Sequence, residues 1–168
     1  MKHSGTVKGD LVVNLGDDIS ALTSVGGGLY VREGAQIDAP ALTSVGGGLD
    51  VAKGAQIDAP ALTKVAGHDL PDAVTARERL VAVAHAALAD PANLEMSRWH
   101  NESGGCGTAH CIAGWAVHLA GTAGYELETQ VGQPAAGNIL LGVEASSLFH
   151  ISNDEARSAL HRVLAVQQ

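Results

Sequence analysis

The sequence reads as an α+β protein, a short N-terminal β-solenoid of about three twenty-residue rungs followed by an all-α domain, with the domains spanning 1–67 and 68–168. A near-identical internal repeat, a change of hydrophobic period after residue 68 and an aromatic-poor composition lead to this assignment. Residues 21–40, ALTSVGGGLYVREGAQIDAP, return as 41–60, ALTSVGGGLDVAKGAQIDAP, identical at 17 of 20 positions; only Tyr30/Asp50, Arg32/Ala52 and Glu33/Lys53 differ. A third copy starts at Ala61 and fades after Gly67. A shorter early copy, Gly9-Asp10-Leu11-Val12-Val13 with Ile19-Ser20-Ala21-Leu22, aligns once the Ala-Pro pair of the later copies is left out.

Stacked coils require such a pattern, because each rung must offer the same apolar positions to the next. Leu22, Val25, Leu29, Val31 and Ile37 accordingly recur as Leu42, Val45, Leu49, Val51 and Ile57. Leu29 and Val31 flank an outward Tyr30, the period-two pattern of a strand. This places short strands at 28–32 and 48–52 and weaker ones near 10–13, 22–25 and 42–45. The Gly26-Gly27-Gly28 and Gly46-Gly47-Gly48 runs read as corners where a Cβ would clash, and Pro40 and Pro60 as a second corner. No Lys-Ser/Thr follows the glycines, so they do not form a phosphate loop. Asp38 and Asp58 offer too few oxygens for calcium and are read as caps of local backbone. So short a solenoid needs its apolar ends covered. The helical part is expected to close one end. The other, near Leu11 and Val13, calls for the first ten residues or for a second copy of the chain, which makes a homodimer an expectation.

Beyond His68-Asp69-Leu70-Pro71-Asp72 the period becomes 3.6, with Val74, Leu80, Val81, Ala84 and Leu88 along one helix over 72–89, ended by Asp90-Pro91. A turn of helix at 91–96, capped by Asp90, follows. Trp99 to Gly107 reads as a loop. Thr108 is expected to cap a helix over 109–120 that Gly121 stops. Short helices are expected at 134–141 and 144–149, and Ser152-Asn153-Asp154-Glu155 is a capping box that opens a last helix.

Composition narrows the function. Aromatic residues make up 3% of the chain against 21 glycines, so the core must come from aliphatic side chains packed close to backbone. A net charge of −8, with no run of basic residues, argues against sequence-independent nucleic-acid binding and favours a protein partner. The acidity is uneven: residues 1–67 carry five basic and seven acidic side chains, 68–168 five and eleven. No stretch of 18 apolar residues occurs, and no apolar leader follows Met1, which predicts a soluble cytoplasmic protein without membrane contact. Two cysteines, Cys106 and Cys111, predict free thiols rather than a disulfide framework.

Two resemblances sit on these motifs. Ile37-Asp38-Ala39-Pro40-Ala41-Leu42-Thr43-Ser44-Val45-Gly46-Gly47 resembles the "LDAPALTSVGG" repeats of phage and prophage solenoid proteins, over residues 9–67. The order Trp99, Cys106-Gly107-Thr108-Ala109-His110-Cys111-Ile112-Ala113-Gly114-Trp115-Ala116 and Leu140-Leu141-Gly142 is similar to uncharacterised phage and actinobacterial proteins carrying "CGTxxCxAGWA", over roughly 78–165. The first implies a solenoid and a phage or prophage origin, the second a fold unit. Neither implies a reaction.

Three readings of the Cys106–Trp115 segment compete. Cys106 and Cys111 can be small buried hydrophobes, with Gly114 permitting close packing and Trp99 and Trp115 filling the core; this reading is preferred because buried cysteine is usually inert. Alternatively Cys106, Cys111 and two of His100, His110 and His118 (His100 and His118 first) bind zinc. In the third reading Cys111, placed in the first turn of a helix whose dipole favours a thiolate, is a nucleophile with His118 as its base. The fragment differs in spacing from the papain-type Cys-Gly-Ser-Cys-Trp signature. The favoured function is a non-enzymatic phage or prophage interaction protein with no cofactor. It would bind and inhibit a host protein, a defence protein included, through a ladder of Tyr30, Arg32, Asp50 and Lys53. The rivals are a zinc-binding or Cys-dependent enzyme centred on Cys106/Cys111 and a structural or assembly protein.

Overall fold

The computed structural model describes residues 1–101 and 109–166. Ten strands precede the first helix: β1 (Lys2–Val7), β2 (Leu11–Val13), β3 (Asp18–Val25), β4 (Leu29–Val31), β5 (Gln36–Asp38), β6 (Ser44–Val45), β7 (Leu49–Val51), β8 (Gln56–Asp58), β9 (Lys64–Val65) and β10 (His68–Asp69). They wind into a three-faced solenoid of about three turns. One face is ordered β1-β3-β6-β9-β10, the second β2-β4-β7 and the third β5-β8. Like residues stack on like. Leu11 pairs with Leu29 and Leu29 with Leu49, Val13 with Val31 and Val31 with Val51, and Val25 with Val45 and Val45 with Val65. The inward members of these ladders are buried, so an aliphatic column fills the interior.

The missing Ala-Pro of the first copy has a structural counterpart. The register between β2 and β4 is offset by 18 residues, that between β4 and β7 by 20. Without the corner, residues 18–25 run on as one eight-residue strand where later rungs break into β5 and β6. The glycine corners are required by backbone proximity, since a Cβ on Gly26 would lie 2.5 Å from Lys8 O and one on Gly46 2.3 Å from Gly26 O.

Some expectations change. The third face was absent from the sequence reading because Gln-Ile-Asp holds a single apolar residue and shows no alternation. Asp38 and Asp58 do not cap a corner; they sit in β5 and β8, exposed and paired in register. The solenoid ends in a tight hairpin, β9 to β10 turning through Ala66 (φ 51°) and Gly67 (φ 80°).

The helices are α1 (Ala73–Leu88), α2 (Ile112–Leu119), α3 (Gly121–Val131), α4 (Gln133–Leu141) and α5 (Asn153–Ala165). Asp72 caps α1 by accepting from Thr75 N–H, and α5 opens on the expected capping box. The buried stripe of α1 is Val83, Ala84 and Ala87, while Val74 is 69% exposed, so the expected apolar face is rotated from the real one. Asp90 caps a single 3₁₀ turn, Pro91–Asn93, and Val143–Leu148 is a second 3₁₀ segment. The helix expected over 109–120 starts later. Ala109–His110 form β12, antiparallel to β11 (His100–Asn101), and Cys111 rather than Thr108 caps α2; Thr108 lies outside the described residues. Gly121, at φ 64°, ends α2 as expected, yet α3 begins on the same residue.

The helical part closes the last rung. Ala135 and Ile139 of α4 enter the solenoid core, joined by Leu127, Val131 and Val143. The buried Asn138 Nδ2 donates to Leu49 O at 2.7 Å, satisfying a rung carbonyl that has no further rung to meet. At the opposite end β1 adds to the first face, Val7 packs on the core, and Leu11, Val13 and Ile19 are buried within one chain. Among the described residues no helix is long and apolar enough to cross a membrane.

Candidate functional site

Two regions gather groups that packing alone does not explain. The first lies on the outward side of the β2-β4-β7 face. The positions at which two otherwise near-identical rungs differ, 30/50, 32/52 and 33/53, fall together there and on the corner that follows. Val12, Tyr30 and Asp50 pair in register. Of the four residues expected to form a ladder, the third-rung pair is engaged internally. Asp50 Oδ1 accepts from His150 Nε2 at 2.8 Å, and Lys53 Nζ lies 4.0 Å from Glu155 Oε2. The hydrogen bond from His150 holds the Asp50 carboxyl below its ordinary range, and Asp50 in turn holds His150 above its own. Tyr30 and Arg32 face solvent. Tyr30 is 39% exposed, Val12 41% and Leu15, on the next corner, 76%; Asp10, Val12, Tyr30, Arg32 and Asp50 line a shallow groove.

The second region is a cluster of imidazoles where β11, β12, α2 and α3 meet. His100 Nε2 is 2.9 Å from Glu128 Oε2, and its Nδ1 is 2.9 Å from His110 Nδ1. His118, in the last turn of α2, stacks 4.7 Å from the His110 ring and meets Tyr125 OH through Nδ1 at 2.9 Å. Trp115 stands edge-on to His110 at 4.9 Å and donates its Nε1–H to Asn93 O. Burial, aided by the neighbouring His118 and His100, pulls His110 down to about 4, so the ring is neutral near pH 7.

Of the residues expected to carry chemistry, His100 and His118 belong to this cluster, together with His110. Cys106 lies outside the described residues. Cys111 is buried at the N-cap of α2, where its Sγ accepts from Gly114 N–H at 3.3 Å. Desolvation there pushes the thiol up to about 11, the opposite of the thiolate expected from the helix dipole: without water, the burial cost exceeds the dipole's gain. Among the described residues no hydrogen bond joins Cys111 to His118. Gly114 admits the backbone just before β11, since a Cβ there would lie 1.9 Å from Trp99 O.

Glu128 and Tyr125 escaped the sequence reading because they sit on α3, the helix it lacked. Their i, i+3 spacing places them on one helix face, a signal usable only once α3 is recognised. No family model, no curated protein and no solved structure matches this chain.

Proposed function

We propose that this chain is a non-catalytic protein-binding module that holds its partner on the Val12–Tyr30–Arg32 strip of the solenoid. One observation carries the reading: two rungs alike at 17 of 20 positions diverge only on this outward strip and its adjoining corner. Interior positions are held by stacking and the glycine corners by backbone proximity, whereas the outward side chains of the strip are not packed into the core. Divergence at Asp50 and Lys53 matches their contacts with His150 and Glu155. Among the described residues the side chains of Tyr30, Arg32 and Glu33 make no hydrogen bond or ion pair, although the Arg32 charge helps to lower the Asp50 carboxyl, and an exposed tyrosine beside an arginine has the composition of a binding hot spot. The likeness of the repeat to phage and prophage solenoids directs the proposal to a host protein, a defence protein among them. The net charge of −8 favours a basic surface on that partner.

Giving the second rung the third rung's own residues tests the idea with little risk to the fold. The triple variant Tyr30→Asp, Arg32→Ala, Glu33→Lys keeps every inward residue. It should retain the thermal transition of the parent while losing the partner recovered from host lysate, with purified-component affinity falling at least tenfold. Unchanged affinity would refute the assignment of the strip.

A further inference from the structure

His110 is 1% exposed, and its Nε2 is a buried side-chain nitrogen with no hydrogen-bond partner among the described residues. A buried nitrogen without a protein partner is costly, so its persistence in a folded core calls for a ligand or a water. The rest of the cluster determines what this nitrogen can be. Glu128 accepts from His100 Nε2–H, and His100 Nδ1 faces His110 Nδ1. In the tautomer in which His100 Nδ1 accepts, His110 Nδ1 carries the ring proton and Nε2 presents a bare lone pair, the state a metal ion would select. A carboxylate–imidazole chain that ends on a bare imidazole nitrogen is how proteins orient a metal-ligating histidine, fixing its tautomer from behind.

A second imidazole lies against the first. His118 is partly buried, its ring centroid is 4.7 Å from that of His110, and its Nδ1 is occupied by Tyr125 OH, so Nε2 is the nitrogen left for a ligand. We propose that His110 and His118 supply ligands to a site for a divalent transition-metal ion of the imidazole-preferring kind, zinc in the first place. His100 and Glu128 act as positioning residues. This revises the ligand set expected from sequence: both nitrogens of His100 are committed, and Cys111 is held as a helix-capping thiol. Among the described residues no group of three ligands is assembled, and Cys106 lies outside them.

Calorimetric titration of untagged, chelator-treated full-length protein with zinc chloride tests the site, with the visible spectrum of cobalt(II) as a second readout. A single saturable zinc is expected. Affinity should fall at least tenfold in His110→Gln and in His118→Gln, and by about 10- to 100-fold in Glu128→Gln, which removes no ligand but loosens the imidazole chain. His161→Gln, on the exposed side of α5, should leave it unchanged. Should His110→Gln fail to fold, the partly exposed His118 and the positioning Glu128 still decide. Absence of zinc binding to the parent, binding unaltered in His118→Gln, or equal loss in His161→Gln would overturn the proposal.

Discussion

The solenoid and the helical region solve the problem of a small core in opposite ways. Between β1 and β10 the interior is a column of Leu, Val, Ile and Ala, repeated rung on rung, with the backbone paired mainly from rung to rung. The buried polar side chains His110, Asn138 and Ser146 all belong to the helical region, as do the two tryptophans, and each ring or amide there meets a particular neighbour. A stack of equivalent layers gains stability from nearest-neighbour contact and offers little internal chemistry. A core of unlike side chains depends on single geometries. That is why the titratable cluster lies in the helical region, while the proposed binding strip lies on the part rigid enough to present it.

That contrast can be broken most severely at Gly114. An added methyl would collide with Trp99 O at 1.9 Å, a backbone atom that cannot yield without moving β11. Gly114→Ala should cost more than about 3 kcal/mol, and the loss of near-ultraviolet tryptophan dichroism before the far-ultraviolet signal would show the helical region failing first. In the solenoid, the wholly buried Leu42 should behave as an ordinary core leucine, with Leu42→Ala costing about 2–5 kcal/mol in denaturant unfolding. The same change at Leu22 should cost a similar amount if the layers are equivalent.

Acid should discriminate between the regions. His110 is held below its unfolded value, so the folded state binds fewer protons, and stability is lost as pH falls from about 6.5 toward 4. His110→Gln, if folded, should flatten that part of the stability curve. A parent curve already flat from pH about 7 to 5 would contradict the neutral, buried ring.

The smallest effect concerns the contact between the regions. His150 is raised and Asp50 lowered by their mutual bond, so the pair contributes between the Asp50 and His150 titrations and is lost when His150 deprotonates above them. Both partners are partly exposed, which limits Asp50→Asn to about 0.5 kcal/mol near pH 6 and to nothing measurable near pH 9. A larger loss at the higher pH would show that Asp50 acts through packing instead.

How much could be read in advance differs between the regions for the same reason. Leu29, Leu49 and their like announce themselves because a stacked layer repeats its residues at a fixed interval, whereas the Gln-Ile-Asp strands carry too little apolar pattern to be seen. Asp90 and Ser152 were legible as caps, since capping is a local bond between near neighbours. Thr108 and Val74 misled because helix start and facing are settled by distant contacts: the pairing of β12 with β11 and the packing of α1 on α2 and α5.

The sequence by itself determined the solenoid, its period, its glycine corners and the missing corner of its first turn, because each follows from identity between residues a fixed distance apart. Only the tertiary structure decided that Asn138 closes the last rung, that Asp50 and Lys53 reach His150 and Glu155 of the helical region, and that Glu128, His100, His110 and His118 meet. Those contacts join residues from elements with no shared pattern, and only packed elements bring such groups within bonding distance.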